Sequence, residues 1–209
     1  CFSRETFGPF LTVSLNTTNE ATAAAPSATA DSTGFAAPVG DAGRPATTAT
    51  TPGFVGLPAM PAREDVPLAE LTTLRLGGPA RRLVEATSSA ELIAAVSAAD
   101  RAGEPVLVIA GGSNLVVGDS GFDGVAVHVA TRGLDVVRVG DRVRLTVAAG
   151  EPWDGLVARS VADGLAGIEC LSGIPGSTGA GPIQNIGAYG QEIASTLVSV
   201  SAYDREAGR

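Results

Sequence analysis

From about Val66 onward the apolar positions fall into short, regular runs that alternate with polar and glycine-rich breaks. The segments "TTLRLGG" and "ARRLVEA" read as short strands. In "SSAELIAAVSAADRAG" the period changes to that of a helix, with Leu92, Val96 and Ala99 on one face. Ser88 and Glu91 are spaced as a capping box at its start, and Gly103 ends it. "PVLVIA" predicts a buried strand over 105–110, and "GVAVHVA" predicts another. "LDVVRV" and "RVRLTVAA" are joined by Gly140 and Asp141, which predicts a tight hairpin. "PWDGLVARSVADG" predicts a second helix with Trp153, Leu156, Val157 and Val161 as its apolar stripe and Gly164 as its stop. "TLVSVSAYD" resumes as a strand. Helices and strands mix without strict alternation, so the expected class is α+β with at least one antiparallel hairpin.

The beginning of the chain lacks such patterning. Residues 21–52 are dominated by Ala and Thr, with interspersed Pro and no apolar period. Such a stretch cannot bury enough surface to offset the entropy of ordering it. Residues 1–62 are therefore expected to form a disordered extension, and 63–209 the folded domain. The opening "CFSRETFGPFLTVSL" has neither an initiator Met nor the basic-then-apolar layout of a signal peptide. A fragment or a misread start is the expected reading.

Composition narrows the function classes. The 209 residues are 44% hydrophobic and 17% charged, enough for one domain with a core. A net charge of −8 argues against nucleic acid, which calls for a basic face. All 14 basic residues are Arg, which excludes a Walker lysine, a Schiff base and a lysine general base. One histidine, His128, cannot build a His-rich metal site, and no metal is expected. Two cysteines make no disulfide framework, which points to a reducing, cytoplasmic compartment. No run of about 18 apolar residues is present to span a membrane.

Two stretches carry candidate chemistry. In the first, the apolar run at 105–110 leads into Gly111, Gly112, Ser113 and Asn114. Successive glycine N–H groups with a hydroxyl and an amide make a small concave nest suited to a diphosphate, although the same composition serves an ordinary turn. The second is "GIPGSTGAGPIQNIGAYGQE", residues 173–192. It fits neither the Rossmann fingerprint, because the glycine spacing differs, nor a P-loop, which needs a lysine. It offers close backbone donors, Ile174 and Ile183 as apolar walls, and amides at Gln184 and Asn185, a set that suits the faces and edge of a flat heteroaromatic ring. A glycine-rich structural crossover is the competing reading.

The segments "TTLRLGGPA", "AGGSNLVV", "AAGEPWDGLV" and "GLAGIECLSGIPGSTGAGPIQNIGAYGQE" occur in order and with natural spacing. Together they resemble the flavin-binding half of the UDP-N-acetylenolpyruvoylglucosamine reductase family, over residues 66–209. The resemblance implies an FAD-binding domain of the vanillyl-alcohol-oxidase type, built of two small α+β subdomains. It implies FAD as cofactor, NADPH as co-substrate, a UDP-sugar as substrate, and a cytoplasmic monomer in peptidoglycan precursor synthesis.

Carried over by position, Gly111, Gly112, Ser113 and Asn114 match the family's diphosphate loop. Gly176, Gly179, Ala180, Ile183, Asn185, Gly187 and Ala188 match the segment along the flavin, and Tyr189 is expected on the substrate side. Gly181 stands where the family more often has a small side chain. The family's catalytic Arg, Ser and Glu lie in Tyr-Arg-x-Ser, Gly-Ser-Phe-Phe-x-Asn-Pro and C-terminal segments that do not occur here. Catalytic residues are thus expected beyond Arg209, and the chain reads as the N-terminal part of such an enzyme, inactive alone.

Arg159 is expected on a solvated helix face, and His128 as a surface or satisfied strand histidine. Cys170 is expected in packing, and Glu169 and Glu192 in helix-end or solvated roles. The alternatives are an oxidase of the same FAD superfamily or a non-enzymatic flavin- or nucleotide-binding module.

Overall fold

The computed structural model describes residues 7–19 and 61–209. Within them the chain runs through β1 (Phe7–Asn19), β2 (Ala62–Pro67), β3 (Pro79–Ala86), α1 (Ser89–Ala102), β4 (Val106–Ile109) and β5 (Phe122–Val129). It continues through β6 (Leu134–Val139), β7 (Arg142–Ala148), α2 (Trp153–Ala162), β8 (Leu165–Ala166), the single turn α3 (Gly181–Gln184), β9 (Gly187–Ala188), β10 (Gln191–Glu192) and β11 (Leu197–Asp204).

Two large sheets organise most of these elements, in agreement with the expected α+β class, while β9 and β10 pair only with each other. The first has the order β2-β3-β5-β4, with β3, β5 and β4 mutually parallel and β2 antiparallel at the edge. Helix α1 provides the crossover from β3 to β4. Its Ser88–Glu91 capping box forms in full, and Gly103 takes the left-handed conformation at its end. Its stripe of Leu92, Ala95, Val96 and Ala99 packs on Val125, Val127 and Val129 of β5. The alternate β5 residues Ala126 and His128 therefore face away from α1.

The second sheet has the antiparallel order β11-β1-β7-β6, with β8 pairing to β1. Its hairpin β6–β7 turns through Gly140 (φ +64°) and Asp141, with Val139 opposite Arg142. Val143, Leu145 and Val147 pack against Trp153, Leu156 and Val157 of α2, the second core.

The structure departs from the sequence reading in four places. The expected disordered extension does not hold over Phe7–Asn19, which is a central strand of the second sheet, paired to β11 on one side and β7 on the other. The reason is visible in "TVSLNT", where Val13, Leu15 and Thr17 alternate inward and are buried. Burying a Val or Leu contributes about 1.5–3 kcal/mol. Residues 20–60 lie outside the described residues. Second, "TTLRLGG" is a turn rather than a strand: the Thr72 hydroxyl donates to Leu76 O at 2.8 Å, and Arg75 has φ +56°. Third, β4 lies at the edge of its sheet, and of its residues Ile109 alone is fully buried. Fourth, Val161 is 53% exposed, and Ser160 takes its place on the buried stripe by donating its hydroxyl to Leu156 O at 2.9 Å.

Candidate functional site

Strand β4 ends at Ile109 and delivers Gly111–Asn114 to the carboxyl end of the parallel sheet, where ligand crevices of such sheets lie. Gly112 (φ +60°) packs directly on the turn before it: a Cβ there would lie 1.9 Å from Leu71 O. Thr73 N–H also donates to Gly112 O at 3.1 Å. The start of the glycine run is stitched to the turn before α2 and to the first residues of that helix. Trp153 N–H donates to Gly176 O at 3.0 Å, Thr178 N–H to Glu151 O at 2.8 Å, and Gly179 N–H to Ala149 O at 2.8 Å. The Asp154 carboxylate accepts from Gly173 N–H at 2.7 Å and from the Ser172 hydroxyl at 3.0 Å. These bonds, the Gly173 N–H first, hold its pKa below the ordinary value.

The two loops thereby meet. A Cβ on Gly111 would lie 2.6 Å from Gly176 Cα, and a Cβ on Gly176 (φ +123°) 2.8 Å from Ser113 Oγ. Two recesses open beside this contact. The first, about 180 Å³, is bounded by Asn114, Trp153, Ile174, Pro175, Gln184 and Ile186. Trp153 is 1% exposed and donates its indole N–H to Leu171 O at 2.9 Å, so its ring is fixed. The second recess, about 170 Å³, is bounded by Gly111, His128, Arg132, Gly150 and Gly176. Ser177 lines both. It is 5% exposed, and its hydroxyl has no hydrogen-bond partner within the protein.

The expected site residues divide into three groups. Gly111, Ser113, Asn114, Gly176 and Ala180 line the recesses. Gly112 and Gly179 serve packing: a Cβ on Gly179 would lie 2.5 Å from Ala149 Cβ. Ile183, Asn185, Gly187, Ala188 and Tyr189 line neither recess. Of these, Ile183 is 62% exposed and Tyr189 93%, whereas Ala188 packs on the second core. Asn185 sits at φ +47° and ties the loop to itself, its amide donating to Glu192 Oε2 at 2.8 Å and accepting from Ala194 N–H at 3.2 Å.

Of the two expected walls, Ile174 lines the first recess and Ile183 does not. The expected ring-edge amide Gln184 lines it as well. Arg159 is exposed and paired with Asp163, and Cys170 is half-buried.

Sequence reasoning did not find Ser177, Trp153, Arg132 or a site role for His128. The signal for Ser177 was its place between Gly176 and Gly179; Arg132 and His128 carry none, because only the strand order brings them there. His128 is half-buried, and its Nδ1 is 3.5 Å from Glu85 Oε2 without a hydrogen bond. Among the described residues no group of three or more His, Cys, Asp or Glu is placed to hold a metal, and no helix is long and apolar enough to cross a membrane.

The arrangement suits an extended dinucleotide such as FAD. Neither recess reaches the ~300–1,000 Å³ of a ligand pocket, yet both meet at an unsatisfied hydroxyl flanked by glycine backbone. A buried hydroxyl left without a partner is costly, and a bound anion would satisfy it.

The pattern of the FAD binding domain family matches residues 80–209. The UDP-N-acetylenolpyruvoylglucosamine reductase of Streptomyces coelicolor is 62% identical over 144 residues, which are 69% of this chain and 37% of that protein. The reductase of Thermobifida fusca is 56% identical over 146 residues, 69% of this chain and 41% of that protein. The chain thus spans about two fifths of the length of these curated relatives. Among solved structures, the UDP-N-acetylenolpyruvylglucosamine reductase of Thermus caldophilus superposes with a TM-score of 0.53 at 29% identity, over 71% of this chain and 54% of that one. The chain belongs to the FAD binding domain family, and its likeness is to the FAD-binding part of UDP-N-acetylenolpyruvoylglucosamine reductases.

Proposed function

We propose that this chain forms the FAD-holding part of a reductase that converts UDP-N-acetylglucosamine enolpyruvate to UDP-N-acetylmuramate with NADPH, a step of peptidoglycan precursor synthesis. The observation that carries the reading is the contact of Gly111 with Gly176, which joins the two glycine loops into one cradle. Identity of 50–62% with proteins of that name supports the substrate class.

When bound, FAD supplies the hydride carrier between NADPH and the enolpyruvyl double bond. The residues of this chain bind and orient it. Gly111, Ser113, Asn114, Gly176, Ser177 and Ala180 hold the cofactor, with Trp153 and Ile174 excluding water from one side. On this reading Tyr189 and Ile183, both exposed, face the substrate side. Gly187 and Ala188 position the loop that carries Tyr189, with Asn185 fixing its base through Glu192. Gly112 and Gly179 act by close packing. The domain comprises residues 63–209 completed by the strand β1 at Phe7–Asn19. The net charge of −8 supports a monomer working away from nucleic acid.

Titration of the purified chain with FAD, followed by flavin fluorescence, is expected to saturate. A folded, monodisperse sample that binds no FAD overturns the reading. Fusing the whole chain to the remainder of the Streptomyces coelicolor reductase tests the reaction: NADPH oxidation dependent on the UDP-sugar is expected, and a flavin-loaded but inactive fusion overturns the substrate assignment.

A further inference from the structure

We infer that the groove between β7 and β11 is an exchangeable strand site: residues 7–19 fill it within one chain, and the same residues of a second copy can fill it in trans.

β1 stands apart from the rest of its sheet. Strands β6, β7, β8 and β11 all lie within the 80–209 span that matches the FAD binding domain family, and β1 alone lies outside it. Residues 20–61 join it to β2. A tether of that length holds the strand at its groove with an effective concentration of about millimolar or less, which a second copy can match.

The two walls of the groove grip β1 unequally. Against β7 the ladder is unbroken from the pair Thr12 and Ala148 to the pair Thr18 and Arg142. Against β11 it shifts register three times, between Phe7 and Phe10, between Phe10 and Thr12, and between Ser14 and Leu15. Each shift interrupts the ladder locally, so β1 is held less firmly than a central strand paired in full on both sides.

What the groove recognises is the chemistry of an extended strand. β1 carries no charged residue. Val13 and Leu15 are buried among Val143, Leu145, Val147 and Trp153. The Thr17 hydroxyl donates to Val143 O at 3.2 Å, and Asn16 N–H donates to Thr196 O at 2.8 Å. Main-chain bonds supply the affinity and alternate apolar side chains the selectivity, as when a peptide adds a strand to a sheet. None of these contacts depends on the covalent link through residues 20–61. A second copy's β1 makes every one of them, and reciprocal exchange leaves neither groove empty.

Ser14 and Thr146 face each other across β1 and β7, with their hydroxyl oxygens 3.4 Å apart. Cysteines at these two positions can be oxidised to a disulfide by added diamide, which takes up the two protons and two electrons. The test uses the whole chain with Cys1→Ser and Cys170→Ser as background. Ser14→Cys and Thr146→Cys in one chain are expected to close internally. Mixing a Ser14→Cys chain with a Thr146→Cys chain is expected to give a linked heterodimer whose yield rises with protein concentration. Ser14→Cys mixed with Arg142→Cys, which lies opposite Thr18, should give about tenfold less, because the register keeps those positions apart. A labelled peptide of residues 7–19 should bind the unlinked chain and not the internally linked one. Leu15→Asp in the peptide should weaken that binding by about tenfold or more.

Internal closure with no heterodimer from the mixed chains overturns the exchange, as does an equal yield with Arg142→Cys. Peptide binding that the internal link leaves unchanged also overturns it. A double variant that stays reduced places β1 outside the groove and overturns the inference at its root.

Discussion

Gly111 and Gly176, 65 positions apart in the sequence, touch so closely that a Cβ on the first would lie 2.6 Å from the Cα of the second. Real Cβ atoms do not approach backbone so nearly, so a side chain at Gly111 must push the two loops apart. Gly111→Ala is expected to destabilise the fold by about 1–3 kcal/mol, as overpacking does. FAD affinity should fall with it, since both glycines line the second recess. Thermal melting and a flavin titration of the variant check the two effects, and unchanged affinity would show that the cradle does not depend on the contact.

The chain contains one tryptophan, and it lines the first recess. Saturation with FAD is therefore expected to quench the Trp153 emission in step with the flavin signal. Quenching that appears in one signal without the other would place the flavin elsewhere. Trp153→Phe removes the donor to Leu171 O and leaves that carbonyl without its partner, which should cost about 1–3 kcal/mol.

Asp154 fastens the first glycine of the run. Its pKa is lowered by Gly173 N–H and the Ser172 hydroxyl, so the ionised form is the one the fold favours. The contribution is fully present above the unfolded value of about 3.9 and is lost as pH falls through the lower folded value. Trp153 emission, which reports on the adjoining recess, should accordingly stay flat from about pH 8 to 5 and change only in strong acid. Asp154→Asn should shift the emission at neutral pH and reduce the acid transition. A transition near neutrality would assign the control to another group.

The two sheets are tied by side chains of β11 and α1. Tyr203 is buried in the first core, and its Oη is 2.7 Å from Ser97 Oγ. Two residues later, the Arg205 guanidinium meets the Asp100 carboxylate from the same helix. Tyr203→Phe is expected to lower stability by about 1 kcal/mol, with a smaller loss for Asp100→Asn at its half-exposed pair. Urea midpoints of the two variants and of their combination measure it. Neighbouring positions of this kind should depart from additivity, and strict additivity would show that the two ties act independently.

Local chemistry made part of this molecule legible in advance. The Ser88–Glu91 box and Gly103 bracket α1 because a cap is decided within a few residues. Gly140 and Asp141 fix the β6–β7 hairpin for the same reason. "TTLRLGG" misled because its alternation suggests a strand, while its shape is set by Gly112 O and Leu76 O, partners that a pattern of apolar residues does not reveal. The strand at Phe7–Asn19 was overlooked because the Ala- and Thr-rich stretch beyond it dominated the reading of the first 62 residues. In the site, the diphosphate loop was legible from its glycines. The partnership of Ser177 with Arg132 and His128 was not, since it exists only once β5 lies beside β4.

That first strand also bears on the order of events in folding. β1 pairs Phe7 with Asp204 and Leu15 with Leu197, residues very far apart in the sequence. Closing a loop of that size precedes any reward from the contacts, so such pairings form late. The β6–β7 hairpin and the unit of β3, α1, β4 and β5 need only near neighbours and can form first. The second sheet is then completed in one late step, when β1 finds β11 far along the chain. Until that moment β7 presents an unpaired edge, the interval in which association with another chain is most to be expected.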